Sequence, residues 1–178
     1  MELLMKRLAT ILGTSILLAA AGSANAENDK NFNVSFGAND GFGFGPAVDY
    51  KVNKNWTVGL ATESFSLTSG SLTATSSGTG VNVRYYFSEA LAQGSYIKGG
   101  YMQGSVSGKD STESVNMDVS SLSLTYGKTW MWDNFNLDAN IGLRTLTASN
   151  IKTTGSYDSS ELNSTFSGVA PALGFSIG

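Results

Sequence analysis

Charged side chains recur at alternate positions of otherwise apolar segments in this 178-residue chain. In residues 134–146, NFNLDANIGLRTL, Asp138 and Arg144 belong to a polar set that alternates strictly with an apolar set. Carboxylates and cations of this kind can pair with each other, transfer protons or line an ion path. Period-two alternation is typical of a β-strand with one apolar and one polar face. The chemistry open to these charges therefore depends on which face is buried.

The side chains on which most enzymes rely are absent from the sequence. There is no Cys and no His, which removes thiolate nucleophiles, thiolate metal sites and the commonest general base. Ser is abundant, but a Ser without an adjacent base is an ordinary polar residue. We therefore expect no enzymatic activity, no catalytic residue, no cofactor and no metal site. The net charge is −3 and no run of Lys or Arg occurs, so we expect no nucleic-acid binding.

The first 26 residues have the three parts of a secretory signal. A positive start at Lys6 and Arg7 is followed by an apolar run to residue 21 and by the small-x-small sequence Ala24-Asn25-Ala26. The alternative, a membrane anchor, would need about 20 apolar residues. We predict a signal peptide at 1–26 and one exported domain at 27–178. No continuous apolar run follows residue 26, so only a closed barrel could cross a membrane.

Alternating apolar residues, separated by Gly-, Ser- and Asn-rich breaks, predict eight strands. Their expected bounds are 31–38, 41–52, 56–67, 78–87, 95–106, 115–127, 134–147 and 164–177. In the second strand, alternation puts Phe42 and Phe44 on the apolar face. In the fifth strand, which is less regular, we expect Ile97 and Tyr101 on the apolar face and Lys98 on the polar face.

The connections between these strands differ in length at the two ends. The compact ones are 53–55, 88–94 and 128–133, and the longer ones, rich in Ser, Thr and Gly, are 68–77, 107–114 and 148–163. The turn at 38–40 is a short exception on the long-loop side. Most strands reach the ~9–11 residues that cross a bilayer at a tilt. This layout predicts an all-β fold, an eight-stranded antiparallel up-and-down transmembrane β-barrel.

In such a barrel the apolar faces contact lipid and the polar faces fill the interior. Aromatic residues beside the compact turns would form an interfacial girdle: Tyr50, Trp56, Tyr85, Phe87, Tyr126, Trp130, Trp132 and Phe135. Charged residues of the polar faces would pair in a closed lumen: Asp49, Lys51, Glu63, Arg84, Lys98, Asp138 and Arg144. Placing Arg144 against lipid instead would cost about 2–4 kcal/mol.

The chain resembles the small outer-membrane barrels of Gram-negative bacteria, of the OmpA/OmpX and opacity-protein type. The resemblance spans residues 27–178 and rests on the signal, the eight amphipathic strands, the compact turns, the polar loops and the ending GVAPALGFSIG. Such barrels usually end on an aromatic residue, whereas here the outward phase passes Phe175 and Ile177 and stops at Gly178. We expect a few further residues ending in Phe or Trp in the natural chain.

The resemblance implies a monomer in the outer membrane, in contact with its lipid and lipopolysaccharide. Its expected role is structural or surface-interacting, such as adhesion or envelope integrity, with loops 68–77, 107–114 and 148–163 carrying contacts to a host or envelope ligand. One alternative is a soluble periplasmic lipocalin-like barrel that binds an apolar ligand and has its faces reversed. Another is a barrel enzyme that modifies lipids.

Overall fold

A computed structural model describes residues 31–39, 41–132, 135–155 and 159–178, so the predicted signal peptide lies outside the described residues. Eight strands form one closed barrel, with each strand paired to its neighbours in chain order. They are β1 (Phe32–Ala38), β2 (Gly45–Lys51), β3 (Trp56–Ser69), β4 (Leu72–Tyr86), β5 (Gly94–Lys109), β6 (Ser114–Trp132), β7 (Phe135–Thr154) and β8 (Gly168–Ile177). The predicted eight-stranded antiparallel up-and-down barrel is confirmed.

The ring closes between the first and last strands. Residues 36–38 of β1 pair with residues 175–177 of β8 in antiparallel register. We call the end that carries the start of β1 and the end of β8 the terminal end, and the opposite end the loop end. Because every strand has a partner on both sides, the barrel wall has no free edge at this level.

In the half of the barrel nearer the terminal end, the strands have an apolar exposed face and a polar or small buried face. Leu60, Leu124 and Ile141 are more than half exposed, at 63, 64 and 62%, whereas Asp49 and Lys98 are fully buried. The alternation follows the period of two that a pleated strand imposes. The polarity is therefore the reverse of that in a soluble barrel, with the apolar side outside.

The strands β3 to β7 continue past the bounds that the sequence predicted, furthest at the start of β4 and at the end of β7. The prediction of a compact connection at 128–133 was wrong, because β6 continues to Trp132. Of the segments predicted as loops, 68–77 is strand except for the turn at 70–71. The segment 107–114 is strand at 107–109 and 114, and the segment 148–163 is strand up to Thr154. Ser and Thr, which led us to predict loops, pair there in continuous register. We call the belt of exposed apolar residues on the outer wall the apolar band; at the loop end it includes Leu60, Val81 and Leu122. The part of β3–β7 beyond these residues toward the loop end is the raised sheet.

A short helix, α1 (Ser159–Phe166), precedes β8, where the sequence predicted loop and strand. Leu162 is buried and Phe166 is half-buried against an apolar cluster on the inner side of the raised sheet, which includes Val106, Met117 and Ala148. Ser167 accepts a hydrogen bond from the backbone N–H of Ala148 at 3.0 Å, which ties the end of α1 to β7. None of the described residues forms a helix long and apolar enough to cross a bilayer.

The segment 41–44, predicted as the start of the second strand, is not continuous strand. Gly41 and Gly43 have φ of +87° and +145°, values that L side chains rarely adopt. These glycines break the alternation, so that Phe42 is buried at 4% exposure inside the barrel instead of lying on the apolar outer face. The prediction for Phe42 was therefore wrong.

Candidate functional site

The interior near the terminal end is built around one arginine. Arg84 of β4 lies between two carboxylates, with Nη2 3.3 Å from Oδ2 of Asp49 and Nη1 3.5 Å from Oδ2 of Asp138. Tyr96 donates to Oδ1 of Asp138 at 2.5 Å, and Thr129 donates to its Oδ2 at 2.9 Å. We call these five residues the arginine cluster.

The pairing register explains why these five side chains meet. Arg84 faces inward because it alternates with the exposed Val83 and Tyr85 on β4. Its guanidinium also lies 5.1 Å from the ring centroid of Tyr96, where a cation is attracted by the π face. The cluster has two carboxylates for one guanidinium, and its hydroxyl donors offset part of the excess negative charge.

The space inside the arginine cluster is small. A cavity of about 10 Å³ opens toward the terminal end and is lined by residues that include Asn33, Thr129, Asn136 and Ser176. That volume holds about one water molecule. The chemistry available there is charge pairing and the binding of water, and the space is too small for an organic substrate.

A second set of polar contacts lies nearer the loop end, where the connection between β1 and β2 bends into the barrel. We call residues 39 and 41–43 the inserted turn. Glu63 accepts hydrogen bonds from the backbone N–H of Asn39 and, at 2.8 Å, from that of Phe42. Lys98 donates to the carbonyl of Asn39 at 2.9 Å. The two buried charges therefore hold the backbone of the turn.

The ring of Phe42 fills the barrel above these charges. A Cβ added to Gly78 or to Gly104 would lie 2.9 Å from the ring, so these glycines leave the space that Phe42 occupies. Ser76 donates a hydrogen bond to the carbonyl of Phe42. A Cβ at Gly41 would collide with the guanidinium of Arg144. The inserted turn thus requires glycine at positions where the backbone and three strands approach closely.

The seven charges predicted for the lumen are divided between three places. Asp49, Arg84 and Asp138 belong to the arginine cluster, and Glu63, Lys98 and Arg144 surround the inserted turn. Lys51 lies at the rim of the terminal end and forms a 2.8 Å ion pair with Glu89 of the 87–93 connection. The hydrogen bond and the charge of Lys51 hold the pKa of Glu89 below its usual value.

The eight aromatic residues predicted for the girdle lie near the terminal end. Consecutive ring contacts link Trp56 to Tyr85 at 5.0 Å, Tyr85 to Phe87 at 5.7 Å and Phe87 to Tyr126 at 6.5 Å. Trp132 contacts Phe135 at 5.4 Å. Two further members complete the set: Tyr50 is exposed and Trp130 is half-buried. The rings therefore form an outward-facing aromatic band.

Sequence reasoning missed the inserted turn and two members of the arginine cluster. Tyr96 and Thr129 carry no formal charge, so the only sequence signal was their inward-facing position. Tyr96 lies on the same face of β5 as Lys98, and Thr129 pairs with Asp138 across β6 and β7. For the inserted turn, the signal was the pair Gly41 and Gly43 on either side of Phe42. This pair follows a connection that is shorter than the other connections predicted at the loop end.

These features define a closed β-barrel with a charged interior and an apolar exterior. The chain matches no known family and no curated protein. Among solved structures it is similar to the crystal structure of Acinetobacter baumannii CarO, with a TM-score of 0.47 and 12% sequence identity over 81% of this chain and 95% of that one.

Proposed function

We propose that this chain is an exported outer-membrane barrel of a Gram-negative bacterium with a closed lumen and a structural or surface-interaction role. The observation that carries the proposal is the polarity of the wall. Ile141 and Leu143 are more than 60% exposed, whereas Asp138 and Asn140, on the same strand, are at most 6% exposed. Only an apolar solvent makes such a surface favourable.

The height of the apolar band supports a bilayer as that solvent. On β6 the outward-facing residues from Leu122 to Trp132 span ten steps of about 3.3 Å along the strand and are apolar or aromatic except Lys128, whose ammonium lies 5.5 Å from the ring centroid of Trp130. With the strand tilt of about 40° usual in such barrels, the band is about 25 Å tall, the height of the apolar band in outer-membrane barrels. The aromatic band at the terminal end suits an interface, where amphipathic rings are enriched.

The interior supports a closed barrel instead of a pore. The arginine cluster fills the lumen near the terminal end, and the inserted turn with Phe42 fills it toward the loop end. Above Phe42, an apolar cluster capped by Leu162 of α1 fills the inner side of the raised sheet. A lipocalin-like function would need an open apolar cavity in the barrel, and the arginine cluster and the inserted turn occupy that space.

The raised sheet is the part of the barrel best placed for contacts outside the membrane. Adhesion or envelope integrity is the role that we propose for it, with residues 1–26 as the signal that directs export. The closed ring of strands leaves no edge at the level of the band for a second chain to extend, which supports a monomer.

Cell fractionation and gel mobility test the membrane proposal. We expect the protein in the outer-membrane fraction after salt and urea washes, and a mobility difference between unboiled and boiled samples in detergent. Release by osmotic shock without detergent would refute it and favour the lipocalin alternative. Planar-bilayer recording tests the lumen, and a steady conductance would contradict closure.

A further inference from the structure

The outward face of the raised sheet is covered by hydroxyl groups in register. Four successive rows of outward residues cross β3–β7, and the row next to the apolar band is Thr62, Thr79, Gln103, Ser120 and Thr147. In the next three rows, Ser or Thr occupies eleven of fifteen positions. We call these four rows the hydroxyl face.

The hydroxyl face has few charges for an exposed surface. Lys109, Asp118 and Lys152 are its three charged residues among twenty positions, about half of the usual proportion for a soluble surface. Neighbouring hydroxyls bond across strands, Thr75 to Ser107 at 2.6 Å and Ser77 to Ser105 at 3.3 Å. The surface is thus a rigid array of groups that each donate and accept hydrogen bonds.

This array is continuous with the face that we propose contacts lipid. Leu60, Val81 and Leu122 are exposed apolar residues one row nearer the terminal end than Thr62, Thr79 and Ser120. A lipid whose acyl chains lie against the apolar band must therefore place its headgroup against the hydroxyl face.

The height of the hydroxyl face selects the kind of lipid. From Leu60 to Thr68 there are eight strand steps of about 3.3 Å, so the face rises about 20 Å at a tilt of about 40°. A phospholipid headgroup layer is only about 5–8 Å deep. A lipid that follows the whole face needs a long polar headgroup, and one that is recognised by uncharged hydroxyls needs a headgroup rich in hydroxyls.

We propose that the hydroxyl face binds the core oligosaccharide of the lipopolysaccharide molecules that surround the barrel. Sugar hydroxyls match the donors and acceptors of Ser and Thr, whereas the phosphates of the lipid anchor would require more Lys and Arg than this face carries. The inference rests on the proposed membrane location and names the partner of the raised sheet.

The test compares the refolded full chain in vesicles of two compositions: lipopolysaccharide with a complete core oligosaccharide, and lipopolysaccharide truncated to its lipid anchor. The variant removes three hydroxyls of the face by Ser64→Ala, Ser77→Ala and Ser105→Ala. The matched control removes three exposed hydroxyls at the hairpin tips by Ser71→Ala, Ser111→Ala and Thr112→Val. The readout is the number of glycolipid molecules retained per barrel after extraction in mild detergent.

We expect the wild type and the tip variant to retain complete lipopolysaccharide in preference to the truncated form. We expect the face variant to retain about tenfold less of it, as the loss of three hydrogen bonds of modest net strength implies. Retention should persist in about 0.5 M salt with a chelator, where charge attraction is screened within about 4 Å.

Equal retention of both glycolipids by the wild type would overturn the inference, as would equal losses in both variants. Loss of the retained glycolipid in salt and chelator would assign the binding to phosphates and bridging cations. That result would also overturn the inference. A doubled mass in crosslinking that the face variant abolishes would make a second copy of the chain the occupant. Failure of the wild type to insert into either vesicle would instead refute the proposed membrane location.

Discussion

Substitution of Arg84 by Met tests whether the arginine cluster stabilises the barrel as a charge network. Arg84 is 3% exposed and contacts Asp49 and Asp138 at 3.3 and 3.5 Å. Methionine keeps much of the volume and removes the charge, so two carboxylates remain in a buried site without a cation. Removing one partner of a buried ion pair costs about 3–5 kcal/mol. We expect a loss of about 4 kcal/mol in the free energy of unfolding, a factor of nearly a thousand in the equilibrium constant.

The assay is urea unfolding of the protein in lipid vesicles, followed by tryptophan fluorescence and by gel mobility. Adding Asp49→Asn and Asp138→Asn to the Arg84→Met variant should restore most of the stability, because neutral amides tolerate the loss of the cation and Asn can still accept from Tyr96. Lys51→Met, which removes the cation of the rim pair with half-exposed Glu89, should change stability little.

The charge-network account of the cluster would be refuted by either of two results. One is an Arg84→Met variant within about 1 kcal/mol of the wild type, which is the range of an exposed ion pair. The other is a triple variant no more stable than Arg84→Met alone, since the loss would then come from packing and not from unpaired carboxylates.

Three further outcomes follow from other parts of the structure. Phe42→Ala should lower the free energy of unfolding by about 3–5 kcal/mol through loss of a buried ring; no change in the urea midpoint would mean that the inserted turn does not fill the lumen. Leu143→Arg should cost about 2–4 kcal/mol in vesicles, while Ser149→Arg, beyond the apolar band, should cost little; equal costs would contradict the assigned bilayer position. Lys51→Met should raise the pKa of Glu89 toward its usual value in an NMR titration. Because that pKa is depressed, the pair stabilises the fold above the unfolded pKa and loses this effect as the pH falls through the folded pKa; an unshifted titration would show that Lys51 is not the cause.

The outer face of the barrel was predictable because alternation is a local property. Ile141 and Asp138 lie on opposite faces because they are an odd number of residues apart on one strand, where successive side chains point to opposite sides. The number of strands followed from the same pattern, and so did the inward phase of Arg84 and Lys98.

The partners of these inward residues were not predictable from one strand. Arg84 meets Asp138, 54 residues away, because the three ladders between β4 and β7 set the register around the ring. Lys98 donates to the backbone carbonyl of Asn39, 59 residues away, because the β1–β2 connection bends inward. That bend depends on contacts with Glu63 and Ser76, which no local pattern reports.

The sequence by itself determined the all-β class and the two faces of each strand, since side-chain direction in a strand depends only on position along it. Tertiary structure decided where the strands end. A Ser- and Thr-rich segment forms a strand when a neighbouring strand pairs with it, and a loop when none does. It also decided that Phe42 fills the barrel, because backbone hydrogen bonds to Glu63 and space above Gly78 and Gly104 exist only after the ring closes.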